Sequence, residues 1–179
     1  MDITETLHAP DRAAWRTWLE THSAQKTEIW LIRDSTKPSV PYLDSVEEAL
    51  CFGWIDGIAK RLDDARLAQR FTPRRPRSHW TELNRERARR LIAEGRMTAA
   101  GRAVLPDLST EHFQVAPDIQ AALQADPQTW ANFQAFPALY QRIRVGYIEE
   151  ARRQPEVFAA RLSNFVSKTR ANKQFGGMR

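Results

Sequence analysis

A chain of 179 residues with 42% hydrophobic and 27% charged residues suits one ordinary folded domain with a small helical appendage, and it can bury a core without covalent staples. Its single cysteine, Cys51, excludes an internal disulfide and a cysteine-rich metal site and fits a reducing compartment. No stretch reaches the roughly 20 apolar residues of a membrane-spanning helix, and the start MDITETLHAPDRAAW lacks the basic and apolar regions of a signal peptide, so a cytoplasmic location is expected.

In chain order, the first helix is expected from about Asp11 to Thr21, with Ala14, Trp15, Trp18 and Leu19 on one apolar face and Asp11 as cap or first-turn acid. Thr27 to Arg33 (TEIWLIR) reads as a strand. Ile29 and Leu31 point one way and Trp30 and Ile32 the other, so both faces are apolar and the strand should be central. Asp34 to Pro41 is a loop by composition. Ser45 and Glu48 have capping-box spacing for the next helix, and Val46, Ala49, Leu50, Gly53 and Trp54 then follow one buried helical face. Gly57 to Leu62 and Arg66 to Thr72 form a hairpin around Asp63, Asp64 and Ala65, and Pro73 and Pro76 force an extended loop.

Thr81 to Glu94 is a helix ended by Gly95, with Trp80, Leu83, Ala88, Leu91 and Ile92 inward and its charges paired locally, Glu82 with Arg85 and Glu86 with Arg89 and Arg90. Thr98 caps a short helix to Leu105. Pro106 to Pro117 is the least patterned segment. Beyond it Asp118 and Asp126-Pro127 start short helices, Phe136-Pro137 breaks and restarts the chain, Leu139, Ile143 and Tyr147 recur at spacing four, and Pro155 opens the last helix with Phe158, Leu162, Phe165 and Val166 on one face. The expected fold is α+β: a small antiparallel sheet, strand plus β-hairpin, packed on helices over residues 1–105, followed by an all-helical subdomain over 117–179.

The positive charge is concentrated. The whole chain carries a net +5, yet between Lys60 and Arg102 there are 13 basic and 5 acidic residues. Arg70, Arg74, Arg75 and Arg77 cluster beside Trp80, with Trp54 and Asp56 at the helix exit. Extended arginines near aromatic rings can clamp an anion and stack a base; the plainer reading is a solvated loop whose arginines pair with Asp56, Asp63 or Asp64. Asp56 is a possible general base or a partner for Arg70, and an Asp at a glycine corner more often caps backbone donors. Cys51 reads as a buried structural thiol. His8, His22, His79 and His112 are isolated and, with one cysteine, show no metal-ligand spacing. There is no phosphate-binding glycine loop and no nucleophile elbow. No catalytic residue, metal or cofactor is assigned. The basic, acid-free segment Val157 to Arg179 reads as a docked helix with a solvated face, the alternative being a helix lying on an anionic membrane.

Four runs, Glu48 to Asp56 (EALCFGWID), Arg70 to Arg74 (RFTPR), Ser78 to Trp80 leading into the Asn84 helix, and Leu91 to Met97, together resemble the YdeI/OmpD-associated family, also labelled bacteriocin-protection proteins. Trp15 to Glu20 and Glu28 to Leu31 also fit. The resemblance is strong over Trp15 to Gly101 and weaker through Trp130 to Tyr140 and Tyr147 to Glu149. The C-terminal pattern of the family, Trp-Ile-x-x-Ala-Lys and then Thr-Arg-x-x-Arg-Ile, is altered: Tyr147 stands for the tryptophan, Arg152 for the lysine and Val157-Phe158 for Thr-Arg, while Arg161-Leu162 keeps the close. The resemblance implies a small cytoplasmic bacterial protein, tied by name to bacteriocin or cationic-peptide tolerance and to an outer-membrane porin, with no catalytic mechanism attached. The leading expectation is therefore a non-enzymatic tolerance protein that binds an anionic small molecule or protein partner through Trp54, Asp56, Arg70, Arg74, Arg75, Arg77 and Trp80. The alternatives are a nucleic-acid-binding protein using the same loop and an enzyme with a pocket near Asp56.

Overall fold

A computed structural model describes residues 2–75, 77–111 and 113–177. Pro76, His112 and Arg179, named above, lie outside the described residues. The chain divides into two compact units, 1–79 with 87–107 and 80–86 with 108–179.

The first unit is α+β. Helix α1 (Arg12–His22) starts at Asp11, whose carboxylate accepts the Ala14 N–H at 2.8 Å, as expected of an acidic cap. Strand β2 (Ile29–Asp34) is central, as its two apolar faces require, and pairs antiparallel with β4 (Arg66–Pro73), which pairs antiparallel with β3 (Trp54–Arg61). One strand was not anticipated: β1 (Thr6–His8) adds to the other edge of β2 in parallel, so the sheet is mixed, in the order β1-β2-β4-β3. In the hairpin turn, Asp63 Oδ1 accepts the N–H groups of Ala65 and Arg66 at 3.0 and 2.8 Å, which an Asx residue supplies without the Asn-Gly signature.

Helix α2 (Tyr42–Cys51) corrects two readings of its ends. It begins at Tyr42 after Pro41, not at Ser45, and the Ser45 hydroxyl bonds back to the Tyr42 carbonyl at 2.7 Å instead of capping. It also stops at Cys51. Gly53 takes φ +74, a left-handed value that glycine adopts without steric cost, and the chain turns directly into β3. Trp54 and Asp56 are thus strand residues. The helical stripe through Trp54 is coincidental, although Trp54 is buried.

The core of this unit is aromatic. The Trp15 and Trp18 rings stack at 5.3 Å, Trp15 meets Phe71 at 5.3 Å, and Trp18 meets Trp54 edge-on at 6.0 Å. The Trp15 indole N–H finds the Ser45 carbonyl at 3.0 Å, which satisfies the one polar atom its burial would strand. A polar seam flanks this core. The Glu48 side chain is wholly buried, and it accepts from Arg12 Nε at 2.5 Å, from Arg16 Nη1 at 2.9 Å and from Arg96. Glu47 accepts from Arg12 Nη2 at 3.0 Å and from Arg90. Arg90 therefore bonds Glu47 as well as Glu94 on its own helix.

Helix α3 (Glu82–Ala93) gives its first turn to the second unit and the remainder to the first. The short α4 (Ala99–Ala103) is capped by Thr98, whose hydroxyl also donates to the Cys51 carbonyl at 2.6 Å.

The second unit is otherwise α5 (Pro117–Gln124), α6 (Pro127–Ala135), α7 (Ala138–Glu149) and α8 (Pro155–Arg170). Asp126 caps α6 with Pro127 in its first turn, as expected. Ile119, Leu123, Phe133, Tyr140, Val145, Ile148 and Phe165 form its core. On α7 the buried residues are Tyr140, Ile143, Arg144, Val145 and Ile148; of the predicted apolar set Ile143 is buried and Leu139 half-buried, but Tyr147 is exposed. Among the described residues no helix is long and apolar enough to cross a membrane.

Candidate functional site

The residues singled out by charge fall on β3, on β4 and on the loop that follows it. Pairing sets their directions. Asp56 sits opposite Phe71 and Trp54 opposite Pro73, so these four share a face, whereas Arg70, one residue before Phe71, takes the other. Arg70 donates to Glu28 from both Nε (2.7 Å) and Nη2. Thr4 and Arg70 together hold the Glu28 carboxyl below its ordinary range. The Asp56–Arg70 pair, one of the alternatives for Asp56, does not form, because the strand pleat separates them. Between Asp56 and Ala59 the β3–β4 register slips, and the buried Gln69 amide donates to the Gly57 carbonyl at 2.7 Å inside this bulge.

Asp56 does not cap a backbone turn. Its Oδ2 accepts the Tyr42 hydroxyl at 2.6 Å. Burial, reinforced by this carboxylate, pushes the Tyr42 phenol up to about 12. The Arg33 guanidinium lies 5.2 Å from the Tyr42 ring. Burial pushes Arg74 down to about 10, with the Asp56 charge pulling the other way. Burial likewise lowers Arg87, against the charges of Glu47, Tyr42 and Asp56. The structure therefore gathers Asp56 and Arg74 with Tyr42, Arg33 and Arg87, three residues that sequence reading missed. No local signal marks them, since Tyr42 and Arg33 come from the two ends of a polar loop and Arg87 from the middle of a charged helix.

The loop after β4 folds on itself. Arg74 N–H donates to the Gly53 carbonyl at 2.8 Å, and its Nη1 reaches Ser78 Oγ and the His79 carbonyl, each at 3.4 Å. Ser78 N–H closes onto the Arg75 carbonyl at 3.1 Å, with Arg77 at φ 59. Arg74 is consequently buried, and Arg75 and Arg77 are exposed. Neither of these two joins an ion pair among the described residues. Much of the basic excess is otherwise spent: Arg66 binds Asp63, Arg70 binds Glu28, Arg85 binds Glu82, and Arg90 and Arg96 bind the glutamates of α2. Trp54 and Phe71 are buried in the first unit and Trp80 in the second, so none of them offers a face for stacking.

Cys51 is buried at the end of α2. Burial first, and then the neighbouring Glu48 charge, pushes its thiol up to about 11. Such a thiol stays protonated and inert at neutral pH. Native protein is expected to resist a thiol-specific colorimetric reagent at pH 8, and unfolded protein to react at once; equal rates would contradict the burial. No group of three or more His, Cys, Asp or Glu side chains among the described residues could hold a metal ion.

Residues 7–104 match a family described as a domain of unknown function, DUF8412. Residues 112–172 match the family described as Bacteriocin-protection, YdeI or OmpD-Associated. No curated protein and no solved structure matches the chain. The suspected family is thus found, but on the helical C-terminal segment that carries Tyr147, Arg152 and Arg161. The motifs of Trp15 to Gly101 fall instead within the other family.

Proposed function

We propose that this chain, which belongs to the DUF8412 family through 7–104 and carries a bacteriocin-protection segment in 112–172, serves a protection-related role by binding. Its contact in the first unit is the loop after β4, and its partner there is an anionic small molecule or an anionic protein surface. The observation that carries this reading is the exposure of Arg75 and Arg77 with no ion-pair partner among the described residues, beside an Arg74 pinned by its own loop. A guanidinium fork left in water is ready for a carboxylate or a phosphate. Nucleic acid is the weaker reading, because Trp54, Phe71 and Trp80 are buried and stacking supplies much of single-strand affinity. Catalysis at Asp56 is weaker as well, since its carboxylate already accepts the Tyr42 hydroxyl.

A bacteriocin-sensitive strain that expresses the chain is expected to survive a killing dose better than cells with an empty vector. Arg75→Ala/Arg77→Ala is expected to abolish that gain with Tm unchanged. Polyphosphate serves as a binding probe. Its affinity should fall in the double variant, and the slope of log affinity against log salt should drop by about 2, one per lost phosphate contact. Unchanged survival and unchanged polyphosphate binding at equal Tm would remove the loop as the contact.

A further inference from the structure

The second unit holds an open groove of about 860 Å³, walled by α7, α8, Leu83 and the segment from Phe175 to Gly177. Arg144 lines it. This arginine is only 8% exposed. Among the described residues its Nε has no hydrogen-bond partner and no carboxylate pairs with it. A buried charge is costly unless it is paired, so an arginine kept this way inside a groove calls for a reason.

The surroundings position the group without discharging it. Its guanidinium lies 5.3 Å from the Phe175 ring and 5.8 Å from the rings of Tyr140 and Tyr147. Aromatic faces attract a cation, but they cannot accept its planar set of N–H groups. The wall that carries Phe175 is tied down, since the Phe175 N–H donates to the Tyr140 hydroxyl at 3.2 Å. Gly176 packs against the guanidinium itself: a Cβ there would lie 2.9 Å from Arg144 Cζ, at a backbone φ of +76 that also favours glycine. A second arginine, Arg161, lies 3.8 Å over the Tyr147 ring and donates to the Tyr147 carbonyl. One carboxylate, Glu156, also lines the groove; it is exposed, in the first turn of α8, and forms no ion pair with either arginine. The remaining walls include Leu83, Val157 and Ala160.

We propose that this groove binds a carboxylate borne on an apolar body, the carboxylate lying against Arg144 and Arg161 and the body along the apolar walls. The planar fork of arginine matches a carboxylate, and the groove is far larger than an inorganic ion and of the size that holds a small organic ligand. A fatty acid and the free C-terminus of an apolar peptide share this chemistry. The site is independent of the arginine loop in the first unit.

Calorimetry on the full chain tests it with octanoate, octanol, inorganic phosphate, and an apolar tetrapeptide as free acid and as C-terminal amide. Octanoate or the free-acid peptide is expected to bind, with the matching octanol or amide at least about tenfold weaker, because a charge-assisted hydrogen bond is worth about one to two orders of magnitude. Preference between the two acids identifies the source of the carboxylate. Arg144→Met is expected to weaken the bound acid by about 10- to 100-fold with Tm retained. Arg144→Lys keeps the charge but loses the fork, and should bind between the two; it also serves if the methionine variant does not fold. The proposal is overturned if neither acid binds at millimolar concentration, if octanol matches octanoate and the amide matches the free acid, if phosphate binds as well as the acids, or if the Arg144 variants bind like the wild type.

Discussion

Glu48→Gln is expected to be the most damaging conservative change in the chain, costing about 3 to 5 kcal/mol of stability, the usual penalty for breaking a buried ionic network from one side. Three guanidiniums converge on this one carboxylate, those of Arg12, Arg16 and Arg96. An amide offers one acceptor oxygen in place of two, turns two N–H donors toward arginines that are themselves donors, and removes the negative charge. The arginines retain side-chain exposures of 26%, 30% and 30%, so water screens part of the loss and the lower end of the range is the better expectation. Urea denaturation followed by tryptophan fluorescence measures it. Glu94→Gln is the control: this half-exposed side chain pairs with Arg90 and Arg96, and its loss should stay below about 1 kcal/mol. If the two variants unfold at the same urea concentration, the network does not hold the fold.

Gly101→Ala should also destabilise strongly, against the ordinary trend. Within a helix this exchange normally gains about 1 kcal/mol. At Gly101 the new Cβ would press into the Cys51 carbonyl oxygen and sit 2.5 Å from the Met97 sulfur. Methionine can yield, but the carbonyl cannot, because it is backbone already held by Thr98 N–H at 3.1 Å and by Thr98 Oγ1 at 2.6 Å. Relieving the clash means lifting α4 off the end of α2, at a cost of about 3 kcal/mol, the upper end for overpacking. Ala103→Gly on the exposed side of the same helix should cost only about 1 kcal/mol. A Tm for Gly101→Ala at or above wild type would show that α4 is not closely seated there.

The elements that could be read from sequence are those whose cause is local. Asp11, Thr98 and Asp126 each cap a helix within three residues of themselves, and the hairpin turn is held by Asp63, which accepts the N–H groups of Ala65 and Arg66 two and three residues on. What escaped was set from a distance. Glu48 looked like a helix-start residue because Ser45 precedes it by three; its real partners are 32 to 48 residues away. Strand β1 is three residues long, too short to show alternation, and it exists only through its pairing with β2. On α7 the apolar spacing of Leu139, Ile143 and Tyr147 points inward at Ile143 but outward at Tyr147, because the buried face also takes in Arg144, a charge that no apolar spacing announces. The same charge hid the groove. For the basic loop, a run of arginines was visible, but not which of them would be spent, since the Glu28 that takes Arg70 lies 42 residues away.

The shortest strand has a bearing on how the chain behaves outside its folded state. Strand β1 covers the edge of β2 along Trp30, Leu31 and Ile32, of which Trp30 and Leu31 are fully buried. An uncovered apolar strand edge is a template for pairing with other chains. Proteolytic clipping ahead of Ala9 would remove few contacts from the core, yet it would leave this edge open, and self-association would follow before unfolding. Protection of that apolar edge thus rests on three residues, Thr6 to His8, none of them fully buried.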